Sequence, residues 1–152
     1  MKDRSNVIVE LESRQDGELA SHTYKGEWFR KERSIYIRYI EEENRAEEIR
    51  TLIRFRPEEL SITRRGLVHS EQIFAPGQVR AGIYRTPYMS MQLETRTSGL
   101  SMVEPHGSKP AVQNSDGLPD KLPFSLEWSY ELYTNEQQSG EFHIKLHIRE
   151  DV

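Results

Sequence analysis

Between Phe124 and Ile148 apolar and polar residues alternate with a period of two. Phe124, Leu126, Trp128, Tyr130 and Leu132 hold one parity, with Ser125, Glu127, Ser129 and Glu131 between them. After the break at Asn135 to Gly140 the alternation returns as Phe142, Ile144, Leu146 and Ile148, separated by His143, Lys145 and His147. Successive side chains of an extended chain point to opposite faces. These are therefore two strands of a ribbon with one apolar and one solvated face, which places the chain among antiparallel β proteins.

The same pattern runs through most of the sequence. Val7, Val9 and Leu11 share a parity, and Asp16-Gly17 follows as a turn signal. Leu19 to Arg30 carries Tyr24, Gly26 and Trp28 on one parity, and Gly26 suggests a bulge or bend. Further strands are read at Ile35 to Tyr39, Ile49 to Phe55, Leu60 to Arg64, Leu67 to Phe74, Val79 to Tyr84 and Met89 to Thr97. Short strands with regular turn signals predict a sandwich or barrel, and no segment has a convincing helical period. The stretch Glu41 to Ile53 is rich in Glu and Arg, but its apolar spacing is too sparse for a helix.

With 152 residues, one domain spanning 1–152 is expected, large enough for a real core without cross-links. Pro105 to Pro123 differs from the rest, with four prolines and many small polar residues, and reads as a flexible loop over 105–123. Cysteine is absent, which excludes disulfides, thiol catalysis and thiolate metal sites. The net charge of −4 argues against a nucleic-acid partner. No apolar run approaches a signal-peptide core or the roughly 20 residues of a membrane helix. A cytoplasmic protein with no membrane association is therefore expected.

Chemistry-bearing constellations are few. His143 and His147 lie about 13 Å apart along one strand, too far for a shared metal ion, and read as solvated surface residues. Arg50, Arg54 and Arg56 take the outward parity near many glutamates, so cross-strand Glu–Arg pairing explains them more simply than a binding patch. Arg64 differs, because it shares parity with Leu60 and Ile62 and should point inward. A buried guanidinium needs partners, either a structural carboxylate or carbonyl, or a ligand's anionic group. Thr51, Thr95 and Thr97 also take inward parities. No nucleophile elbow and no phosphate-binding glycine loop occurs. No catalytic residue, metal site or cofactor is expected.

The run Leu60-Ser61-Ile62-Thr63-Arg64-Arg65-Gly66, then Phe74 and Gly77, then Tyr84-Arg85-Thr86-Pro87-Tyr88 and Leu93-Glu94-Thr95-Arg96-Thr97 resembles the YwiB-like family of small bacterial proteins. Gly26, the strand Ile35 to Tyr39, Glu41-Glu42 and the closing hairpin around Trp128-Ser129-Tyr130 fit the same pattern. The resemblance implies a calycin-like, lipocalin-type β-barrel and supplies no functional residues. Two departures stand out. Met89 follows the Thr-Pro-Tyr stretch, where the family often has glycine, and the 105–123 loop is longer than the family's.

The expected fold is thus an all-β, single antiparallel barrel of about eight to ten strands, a size whose interior can be filled or can hold one small ligand. The leading functional expectation is non-enzymatic binding of a small amphipathic ligand inside the barrel. Trp28, Tyr39, Phe55, Met91, Thr95, Trp128 and Tyr130 would form the wall, with Arg64 near a polar group. The alternative is an interaction module with a filled barrel, acting through an outer face or strand edge, a homodimer included. Outward Tyr36, Ile40, Leu52 and Tyr133 motivate that alternative. An enzyme would need inward carboxylates or histidines in a cleft, which parity does not supply.

Overall fold

The computed structural model describes residues 4–41, 46–103, 118–119 and 121–152. Among them ten strands are present: β1 (Arg4–Gln15), β2 (Glu18–Lys31), β3 (Ser34–Ile40), β4 (Ile49–Arg56), β5 (Glu59–Gly66), β6 (His69–Phe74), β7 (Val79–Arg85), β8 (Ser90–Val103), β9 (Phe124–Thr134) and β10 (Gln137–Glu150). Each strand pairs with the next in sequence, and β10 closes on β1, giving a closed barrel. All pairings are antiparallel. Closure pairs every strand on both sides over part of its length, though β6 and β7 pair only at His69–Glu71 with Ile83–Arg85, and Glu18–Lys25 of β2 pair with β1 alone. Among the described residues no helix is long and apolar enough to cross a membrane.

Turn chemistry sets this meander. Gln15 pairs with Glu18 across Asp16-Gly17, whose φ values of 48° and 92° make the two-residue turn that matches strand twist. Asn135 and Glu136, at φ 50° and 70°, do the same between β9 and β10, so the break read over Asn135 to Gly140 is shorter than the sequence suggested. β10 starts at Gln137 and absorbs the irregularity as a bulge between Gln138 and Gly140. A second bulge, between Thr97 and Gly99 of β8, shifts the parity. Beyond it Leu100 and Met102, instead of the residues in phase with Thr97, pack against the core.

Gly26 corrects one expectation. Pairing runs through it without a register shift on the β1 side, so it makes no bulge. Its role is close approach: a Cβ there would lie 2.3 Å from the Arg38 carbonyl oxygen of β3. Gly66 is equally constrained. It has φ +141°, and a Cβ would sit 2.0 Å from the Glu48 carbonyl oxygen, so only glycine ends β5 against the start of β4.

Inward parities from all around the barrel meet in one core. Val7, Val9, Ile35, Leu60, Phe124, Leu126, Leu146 and Ile148 have no exposed surface. Trp28, Ile53, Phe55, Phe74 and Trp128 have at most 3%. A void large enough for water would leave accessible surface on the side chains around it, so this part of the interior is packed. Burial of each such side chain contributes about 1.5–3 kcal/mol. Most of the loop expected at 105–123 lies outside the described residues. At its C-terminal end Leu118 and Pro119 are buried, and Leu122 packs against the core.

Candidate functional site

Inside the barrel, polar residues gather around the end of β3. Glu41 follows Ile35, Ile37 and Tyr39 on their inward parity, and the register sets Thr51 of β4 beside Tyr39 and Arg64 of β5 beside Thr51. Arg64 donates from Nε to Glu41 Oε2 at 2.8 Å and from Nη2 to Glu41 Oε1 at 3.0 Å. Thr51 Oγ1 donates to the same carboxylate. Both ion-pair side chains keep some solvent contact, 28% for Arg64 and 18% for Glu41. Burial works against the charge on Arg64. The hydrogen bond and attraction of Glu41, helped by Tyr39 and Tyr84, outweigh it and hold the guanidinium above its ordinary pKa. The inward arginine therefore has a structural carboxylate partner, and its charge is matched.

Tyr39 stacks on Tyr24 with ring centroids 4.6 Å apart. Burial, then the negative Glu41 and neighbouring Tyr24, push its phenol well above the ordinary value, with Arg64 pulling the other way. Burial does the same to Tyr130, against a hydrogen bond with Gln72. Both phenols keep their protons in the folded protein at a pH where an unfolded chain releases them. Unfolding is thus increasingly favoured as pH rises above about 10, by about 1.4 kcal/mol per pH unit for each tyrosine until the folded phenols titrate. Urea unfolding midpoints across the alkaline range should fall accordingly, and midpoints that stay flat while tyrosinate absorbance rises would contradict this.

The expected wall residues do not line one common cavity. Tyr39 and Arg64 belong to the polar cluster. Trp128 and Tyr130 share Phe74, at centroid distances of 5.7 and 4.6 Å, and Tyr130 stacks on Phe142 at 5.0 Å. Trp28 and Phe55 are core. Thr95 donates to the Ile73 carbonyl at 2.7 Å and to that of Arg80 at 3.4 Å, tying β8 across to β6 where β6 and β7 have ceased to pair. Met91 is half-buried opposite Tyr84. Glu41 is the residue sequence reasoning missed; its parity was the signal, hidden within a charged connection.

On the outer surface His143 and His147 face Ser129 and Ser125, Nδ1 to Oγ at 2.6 and 2.9 Å. Among the described residues no group of side chains could hold a metal ion. The outward arginines of β4 depart from the expected cross-strand Glu–Arg pairing. Arg54 and Arg56 both donate to Ser34 Oγ at 3.1 Å. Arg50 lies 3.3 Å from Glu48, and the residue opposite it on β5 is Arg65. Register accounts for two of the three, setting Arg65 opposite Arg50 and Ser61 opposite Arg54, while Arg56 stands opposite Glu59 yet turns its Nε to Ser34.

The same outer face, across β2 to β5, holds a groove of about 830 Å³. Phe29, Ile40 and Leu52 supply its apolar surface. Phe29 stacks on Tyr36 at 5.0 Å, under the guanidinium groups of Arg4 and Arg38. Ile40 and Leu52 are exposed, at 42% and 37%. Lys25, Arg38, Arg50 and Arg65 line it against the carboxylates of Glu27 and Asp151. Arg38 is taken by Glu27, with two guanidinium nitrogens on one oxygen at 2.8 and 3.0 Å. An acidic protein thus concentrates positive charge at an apolar depression.

No curated protein matches this chain. The crystal structure of ywiB protein from Bacillus subtilis superposes with a TM-score of 0.79 at 17% identity, covering 100% of this chain and 96% of that one. At that identity the likeness speaks for the fold, and it agrees with the barrel described above. Residues 6–146 match the family described as "Domain of unknown function (DUF1934)". With nearly all of the barrel inside that match, the chain belongs to the DUF1934 family, as a YwiB-like β-barrel protein.

Proposed function

We propose that this protein is a non-enzymatic binding module whose barrel interior is a structural core and whose binding surface is the outer groove of β2 to β5. The observation that carries this reading is the contrast between the two sides of the wall. Trp28, Phe55 and Trp128 are buried against other side chains, while Phe29, Ile40 and Leu52 line an accessible depression of small-ligand size. The ion pair with Glu41 supports it too, because it leaves Arg64 with no unmatched charge to offer a guest.

A second reading, an amphipathic guest within a calycin-like barrel, has one observation in its favour. Trp28 Nε1, Trp128 Nε1 and Thr97 Oγ1 are buried with no hydrogen-bond partner among the described residues. Buried polar groups are normally paired, and a guest's acceptor would satisfy them.

Titration with the uncharged dye Nile red, mapped by amide chemical shifts, separates the two. The groove reading expects perturbations around Phe29, Ile40 and Leu52, and a Leu52→Glu variant that binds roughly tenfold more weakly at unchanged thermal stability. Perturbations centred on Trp28 and Trp128, with Leu52→Glu binding normally, would overturn it in favour of the interior.

A further inference from the structure

The groove's charge pattern names a ligand class, an inference that rests on the groove reading above. Arg50 and Arg65 are directly opposite one another in the β4–β5 pair, on the outer face. Like charges in that position are destabilising. Glu48 relieves only part of this, at 3.3 Å from Arg50 Nε. Arg65 and Lys25 have no acidic partner among the described residues. The next outward position on each strand is Leu52 on β4 and Thr63 on β5, themselves a register pair. Ile40 stands opposite Arg50 on the β3 side. A cationic pair therefore abuts an apolar strip.

We propose that the groove takes an amphipathic anion, its carboxylate or phosphate held between Arg50 and Arg65 and its apolar body laid over Ile40, Leu52 and Phe29. Planar guanidinium groups read such anions through paired N–H bonds, and an anion between two of them turns a repulsive pair into an attractive triad. Beneath the groove β3 and β4 are paired on both sides, so an extended peptide has no edge to join there, which argues for a small molecule. The groove volume of about 830 Å³ suits the same class.

Calorimetric titration with dodecanoate, dodecyl phosphate, dodecanol and inorganic phosphate tests this. Both amphipathic anions are expected to bind at least about tenfold tighter than dodecanol. An Arg50→Gln/Arg65→Gln variant should bring them down to the dodecanol level, and added salt should weaken them. Arg14→Gln, a remote exposed cation on β1, should change nothing. Dodecanol binding as tightly as dodecanoate, with the double variant unaffected, would overturn the anion assignment and leave the groove reading standing. Inorganic phosphate binding as tightly as dodecyl phosphate would overturn the amphipathic assignment. If none of the four binds, both this inference and the groove reading fall.

Discussion

Replacing Trp128 by alanine is expected to lower the folding free energy by about 4 kcal/mol, the range seen when a large aromatic is deleted from a packed core. The ring is 2% exposed, lies 5.7 Å from the ring of Phe74, and stands between Ile144 of β10 and Leu100 of β8 in register. Three consecutive strands thus lose a shared contact, and little can collapse into the space without breaking their pairing. Trp128→Phe is expected to cost much less, about 1 kcal/mol, because Nε1 has no partner among the described residues and its removal relieves a desolvated donor. Urea denaturation followed by circular dichroism measures both. A phenylalanine variant as unstable as the alanine one would mean that the indole N–H has an essential partner.

Removing one member of the Glu41–Arg64 pair is the second large effect. Breaking a fully buried pair costs about 3–5 kcal/mol, and the solvent contact both side chains retain here reduces the expectation to about 2 kcal/mol for Glu41→Gln. The remaining guanidinium would face Thr51 and Tyr39 without a carboxylate. Arg64→Met should cost a similar amount by stranding Glu41. The double variant should cost clearly less than the two singles added, by about 1–2 kcal/mol, since no uncompensated charge remains. Additive losses in the same denaturation assay would show that the pair does not act as a unit.

Much of this barrel was legible residue by residue. Alternation located most of the strands, because most bury one face and the period of two follows from the backbone, while β7, which has no fully buried residue, was marked only by the turn signal before it. Asp16-Gly17 announced its turn because the required backbone angles favour those residues. The inward parity of Arg64, Thr51 and Thr95 was equally readable. The bulge at Thr97/Gly99 was not, and it is why β8 runs on to Val103 while its clean alternation ends at Thr97. A bulge moves the face by one residue, which reads in sequence as a loss of pattern.

The site was far less legible. Glu41 looked like one carboxylate in a charged connection, and only pairing of β3, β4 and β5 brings it to Arg64. Arg50 looked like a surface charge that nearby glutamates would balance, whereas the register sets it against Arg65. Local sequence carries the facing of each side chain, since that depends only on the backbone period. It does not carry which residue of another strand stands opposite, because that depends on register and closure over the whole chain. The sequence by itself thus determined an antiparallel β fold and the facing of most side chains in its strands, and the family resemblance added the barrel. The tertiary structure alone decided that the interior around both tryptophans is packed, that the inward arginine is neutralised, and that an apolar groove with opposed arginines lies on the outside.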